Sequence, residues 1–204
     1  MTSARASIGN TRNPETHAAI LDAAEALLAE HGYAGVSMEA VARRAGAGKP
    51  TLYRWWPSKA ALLMEVYERQ KSLALAELEP GACAQDDLTE FVTSMIRFWR
   101  ETPAGQAFRS IVAEAQAEPA ALRLLRDEML ARGRANAAAI IHRAAETGEI
   151  APHPDAEAMM DMIFGAAWYR LLTHRLRGTA EEMPRIVAAA FAAARPGGPL
   201  ALPG

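Results

Sequence analysis

Five cations, Arg43, Arg44, Lys49, Arg54 and Lys59, fall between Ala40 and Met64, a stretch that contains no Asp or Glu. Guanidinium and ammonium groups concentrated in this way neutralise phosphate, so the stretch is a candidate nucleic-acid surface. On charge alone, a solvated basic face is the alternative. The contrast extends along the chain: residues 1–60 hold seven Lys/Arg against five Asp/Glu, and the remainder fifteen against nineteen. Other chemistry is sparse. His17, His31, His142, His153 and His174 form no pair at i, i+4, and His142 with Glu146 supplies only two ligands, so no metal is expected. The single cysteine, Cys83, allows neither an intramolecular disulfide nor a Cys-based zinc site, and it suits a reducing compartment. Asp86-Asp87 and Glu181-Glu182 read as helix starts, not as catalytic dyads. There is no nucleophile elbow, phosphate-binding glycine loop or zinc-enzyme motif, so neither a catalytic residue nor a cofactor is expected.

The elements that must position the cations are helices. Alanine is abundant, β-branched residues are few, and no stretch alternates like a strand, so the fold class is all-α. Residues 1–13 read as a mobile N-terminal arm. A first helix starts near Pro14, carries Ile20, Ala24, Leu27 and Leu28 on one stripe, and stops at Gly32, with Tyr33 packing back on its last turn. Ser37 caps a second helix that buries Met38, Val41, Ala42 and Ala45 and ends at Gly46. Gly48 opens a third, with Pro50 in its first turn and Leu52 and Trp56 inward. Pro57 stops it, and Ser58 caps a fourth that runs to about Glu79. Two short helices joined by a turn over Ala45–Gly48 make a helix-turn-helix. Residues 14–60 are therefore read as a DNA-binding unit, with the long linking helix reaching about residue 79.

A boundary at Pro80-Gly81 separates a second helical domain, 80–195. Its helices are read from Asp86 or Asp87 to Thr102, through Phe108, Ile111 and Val112 to before Pro119, from there to about Thr147, over Asp155–Leu176, and over about Ala180–Ala194. The Pro/Gly-rich tail, 196–204, reads as disordered. Met1–Arg12 lacks the apolar core of a signal peptide, and the run Ile186–Ala194 is too short to span a bilayer. A cytoplasmic protein that does not engage a membrane is expected.

The stretch Gly32-Tyr33, Ser37 to Ala42, Ala45-Gly46, Lys49 to Arg54, Trp56 to Lys59 and Leu62-Leu63 closely resembles the head of TetR/AcrR-family regulators. That resemblance implies a three-helix DNA-binding head and a larger helical domain for dimerisation and ligand binding. Phe164 to Leu172 looks like the penultimate, dimer-forming helix of one branch. Two positions depart from the pattern. Ala47 replaces a larger aliphatic residue under the turn, and Gly48 replaces a Ser or Thr cap, although glycine still caps and its smallness admits a phosphate.

In a helix-turn-helix the second helix enters the major groove with its N-terminal residues toward the base edges. Lys49, Pro50 and Thr51, with Arg54 one turn on, are the candidates for that role. Tyr53 and Trp55 are placed against sugar or phosphate, with partial burial as the alternative. Lys59 and Ser37, at helix starts, and Gly48 are candidates for phosphate contact. In the second domain, Trp99, Phe108, Met129 and Trp168 are the bulky groups that border a cavity or fill the core. The helix from Asp155 is apolar on more than one face. Met160, Phe164, Ala167, Trp168 and Leu171, with Ile186, Ala190 and Phe191 on the last helix, are assigned to a two-fold interface; mutual burial inside one subunit is the alternative. The reading is a sequence-specific DNA-binding regulator: a homodimer on a palindromic operator in double-stranded DNA, a repressor released by a small apolar or amphipathic effector. The alternatives are a helical small-molecule-binding protein or enzyme without DNA-binding function, and a DNA binder without an effector.

Overall fold

A computed structural model describes residues 13–76, 78 and 81–202. The expected arm, apart from Asn13, lies outside the described residues, as do Glu77, Glu79 and Pro80. Every regular element among the described residues is helical.

Local chemistry sets most of the boundaries. The first helix, α1 (Pro14–Gly35), has Asn13 as its cap, accepting from the Glu15 amide at 3.0 Å. It breaks at Gly32, whose φ of 64° only glycine adopts without strain, and Tyr33–Gly35 add a short last turn. Helix α2 (Met38–Arg44) begins at Ser37, and α3 (Lys49–Trp55) begins at Gly48. Gly46, at φ 63°, turns the chain between them. Helix α4 (Lys59–Leu75) is capped by Ser58 and is shorter than the expected run to 79.

The second domain comprises α5 (Ala84–Glu101), α6 (Pro103–Gln116), α7 (Pro119–Arg123), α8 (Ala131–Glu146), α9 (Ala156–Leu172) and α10 (Thr179–Ala193). Between α7 and α8 the chain continues helically through a π-helical stretch, Leu124–Leu130, where one uniform helix was expected. Helix α5 starts before Asp86, and its cap comes from far away: the Glu149 carboxylate accepts from the Ala84 amide at 2.9 Å and the Gln85 amide at 3.4 Å. Asp87 instead pairs with Arg143 of α8. Helix α9 stops at Leu172, short of the expected 176.

One core runs from head to body. Helix α1 packs on α2, α4 and α6; α4 packs on α5 and α6; α10 packs on α5 and α9. Leu52 and Trp56 belong to this core, at 0% and 2% exposure, so the face of α3 that remains outside is fixed by its inner one.

The C-terminal tail is a correction. Residues 196–202 are not disordered but hydrogen-bonded into the body. The Leu200 amide donates to the Ala193 carbonyl at 2.9 Å, Asp155 donates to Leu200 at 2.7 Å, and Leu202 donates to His153 at 2.7 Å. The prolines and glycines shape a turn that returns over the α8–α9 connection, with Gly197 at φ 80°. The Leu200 amide thereby satisfies a carbonyl at the end of α10 that would otherwise lack a helical partner.

Candidate nucleic-acid interface and effector cavity

The outer face of α3 presents Lys49, Pro50, Tyr53 and Arg54, all exposed, while Thr51 is half-buried. Gly48 caps without a side-chain bond; Pro50 has no N–H, and the Thr51 amide donates to the Gly48 carbonyl at 3.0 Å. Ser37 is exposed, and its Oγ accepts from the Ala40 amide at 3.2 Å, so only its O–H remains for a phosphate. Arg43 and Arg54 are exposed, and the Arg54 guanidinium lies 6.0 Å from the Trp55 ring centre.

The basic patch is less cationic in space than along the chain. Arg44 is held by both oxygens of Glu30, at 2.6 and 2.7 Å, from α1. Lys49 Nζ lies 3.8 Å from Glu39, and the Tyr53 hydroxyl donates to that carboxylate at 3.2 Å. Glu39's own backbone amide, then Tyr53 and Lys49, hold its carboxyl below the usual range.

Two assigned residues, Lys59 and Trp55, are half-buried and pack against side chains of α1. Lys59 is half-buried, with Nζ 4.0 Å from the centre of the Tyr33 ring and 3.4 Å from the Tyr33 carbonyl oxygen. In this position it fastens the start of α4 to the end of α1. Tyr33 in turn donates to Glu114 on α6 at 2.5 Å, tying head to body. Trp55 packs edge-on against Trp56 and near His17, with ring centres 5.8 and 6.1 Å away. It lines a cleft of about 490 Å³ between the head and the segment from Ala120 to Arg132.

In the body, Trp99, Phe108, Met129 and Trp168 all line one cavity of about 100 Å³ beside α4. Trp99 Nε1 donates to the Tyr67 hydroxyl at 2.8 Å. Phe108 stacks on Tyr67 at 4.3 Å and meets Trp168 edge-on at 5.5 Å. Sequence reasoning passed over Tyr67, Lys71, Met95 and Arg134, which line the same cavity, and gave Phe164 to the interface alone. A buried-face aromatic with a polar tip on α4 was the available signal for Tyr67.

The interface assignment needs correcting at five positions. Met160, Ala167, Leu171, Ala190 and Phe191 are buried inside the subunit, because α9 and α10 pack on each other and on α5. Phe164, Trp168 and Ile186 are half-buried. The apolar residues left outside on α9 are Met162, Tyr169 and Leu172, at 43%, 58% and 46% exposure, with Gly165 between them on the same stripe.

A helix-turn-helix head joined by one long helix to a larger helical body is the architecture of a DNA-binding regulator. Comparison with known proteins agrees. The profile of bacterial regulatory proteins of the tetR family matches residues 20–66, and that of the tetracyclin repressor-like C-terminal domain matches residues 80–190. The chain therefore belongs to the TetR family of transcriptional regulators, a family that is not enzymatic. It is 30% identical over 164 residues to the uncharacterized HTH-type transcriptional regulator YdeS of Bacillus subtilis, covering 80% of this chain and 82% of that one. It is 32% identical over 142 residues to the repressor KstR of Mycobacterium tuberculosis, covering 65% and 64%. Among solved structures, the TetR family transcription regulator SCO0332 superposes with a TM-score of 0.73 at 29% identity, over 87% of this chain and 97% of that one. FadR from Bacillus subtilis, in complex with stearoyl-CoA, shares the fold at a TM-score of 0.59 and 19% identity, over 86% and 96%. Among the described residues no helix is long and apolar enough to cross a membrane.

Proposed function

We propose that this regulator is a cytoplasmic homodimeric repressor that holds a palindromic operator and releases it when a small apolar or amphipathic effector enters the cavity of the body. The observation that carries this reading is the course of α4. The helix starts directly after the recognition helix α3, and its far half supplies Tyr67 and Lys71 to the cavity wall. A ligand that moves this wall displaces the same rigid element from which the head hangs. Two heads joined in a dimer must reach major grooves about one helical turn, some 34 Å, or a multiple of it apart, so a small tilt of α4 in each subunit is enough to spoil the match.

The dimer is placed on the outer stripe of α9, Met162, Gly165, Tyr169 and Leu172, because a self-complementary two-fold contact needs an apolar face that the subunit itself leaves open. Lys49, Pro50, Thr51 and Arg54 are proposed to meet base edges. Ser37, Gly48 and Tyr53 are proposed to meet the backbone.

The test is reciprocal titration. The operator is first found by mapping genomic binding of the purified protein, and the neighbouring genes suggest candidate effectors. Ligand affinity is then measured with and without operator. The coupling is expected at about 1–3 kcal/mol, and it must be equal in both directions. Identical ligand affinity in the two titrations refutes release by the effector.

A further inference from the structure

Among the described residues, the charged side chains that line the body cavity are Lys71 and Arg134, both cations, with no carboxylate. The acids that pair with them stand outside. Glu68, 2.5 Å from Lys71 Nζ, faces a neighbouring groove and also lies 3.4 Å from Arg132. Asp161 and Glu157 hold Arg134 from α9. Glu68 therefore keeps a second cation if Lys71 turns toward a ligand, and an ammonium has three N–H donors to divide between them. Lys71 is 14% exposed and lies 5.4 Å from the Tyr67 ring centre.

The Tyr67 hydroxyl is the second polar group. It accepts from Trp99, and among the described residues it donates to nothing. Burial pushes its acidity far from the neutral range, so its proton is retained and is available to an acceptor. A carboxylate placed in an apolar wall must be paired and hydrogen-bonded to be tolerated there, and these groups supply both needs.

We propose that the effector is an apolar monocarboxylate whose ring or short chain fills the aromatic cavity and whose carboxylate is held by Lys71. This inference rests on the reading of the cavity as the effector site. At about 100 Å³ the cavity is smaller than the roughly 150 Å³ that holds benzene, so a ring enters only as the flexible Met95 and Met129 side chains in its wall give way. The neighbouring groove, about 250 Å³, shares Lys71, Met95 and Gly133 with the cavity, so Lys71 stands where a ligand's polar end leaves the apolar space. A cationic head would meet two positive charges there, and a neutral alcohol would forgo the ion pair.

Three probes with one skeleton test the assignment: 4-phenylbutyrate, 4-phenylbutanol and 4-phenylbutylamine, titrated calorimetrically into the full-length protein. The acid is expected to bind at least tenfold more tightly than the alcohol, and the amine more weakly than both. Lys71→Met is expected to bring acid and alcohol to equal affinity, with retained alcohol binding showing that the cavity is intact. Gly133 lines the cavity and a β-carbon there meets no atom within 4 Å, so Gly133→Leu is expected to fill the cavity and block all three probes, with an unchanged thermal melt showing that the fold is kept. Equal binding of acid and alcohol to the unaltered protein overturns the carboxylate assignment and leaves the effector site standing. Binding of none of the probes overturns both readings. Binding unaffected by Gly133→Leu places the ligand elsewhere and overturns the assignment as well.

Discussion

Glu39 gathers two of the side chains assigned to DNA, Lys49 and Tyr53, onto one carboxylate at the start of α2. On binding, that carboxylate must give way to phosphate and base edges, because like charges repel at short range. Glu39→Gln keeps an acceptor for Tyr53 and removes the charge. It is expected to raise non-specific DNA affinity in a low-salt filter-binding or anisotropy assay, while an unchanged affinity would show that Glu39 lies clear of the backbone. Lys49→Ala is expected to cost about 1–3 kcal/mol and to relax discrimination at one base position per half-site. Lys59→Ala acts differently: it removes the cation over Tyr33 and is expected to lower stability by about 0.5–1 kcal/mol, with little change in salt dependence. Acid also loosens the head. Arg44 holds the Glu30 carboxyl below its ordinary 4.5, so the unfolded chain binds the extra proton first. The contribution is complete above about 4.5 and disappears as the pH falls through the lower folded value, which a thermal-melt series across that range reads directly. The outward residues of α3 were legible because Leu52 and Trp56 fix its inner face. The roles of Lys59 and Trp55 were not, because their partners Tyr33 and His17 arrive from α1.

At the scale of elements, two helical glycines predict opposite outcomes. Gly133, in α8, faces open space, so Gly133→Ala is expected to stabilise by about 0.5–1 kcal/mol through helix propensity. Gly105, in the first turn of α6, sits against the end of α5, where a β-carbon would strike the Phe98 carbonyl oxygen. Gly105→Ala must push two helices apart and is expected to destabilise by about 1–3 kcal/mol. Chemical denaturation of both variants checks the pair. Helix ends were readable where the cap is local, as at Ser37 and Ser58, each of which accepts from an amide three residues on. The start of α5 was not, since its cap, Glu149, lies 65 residues away from Ala84. The faces of α9 escaped for a related reason. A helix apolar all round does not declare which side its own subunit takes, and Met160, Ala167 and Leu171 were given to the partner when α10 and α5 already cover that side.

For the whole molecule, the proposed dimer uses the outer stripe of α9. Tyr169→Glu places a charge on that exposed stripe and is expected to give a folded monomer by sedimentation that binds operator poorly. Ala167→Glu, at a position with 0% exposure, is expected to unfold the body instead. If the dimer neutralises roughly six to ten phosphates, operator affinity should drop by about 10³ to 10⁵ between 50 and 200 mM salt. A flat log–log plot contradicts that expectation. The returning tail bears on how the chain is made. Helix-turn-helix contacts join residues near in sequence, whereas α10 closes on α5 and residues 200 and 202 close on Asp155 and His153. These partners are made later than the head. During synthesis the head precedes α10 and the strap over it, so this part of the body closes only once residues 200–202 have followed. The same bonds are sensitive to bulk: a rigid domain inserted directly after Leu202 would compete with the strap for its closing hydrogen bonds.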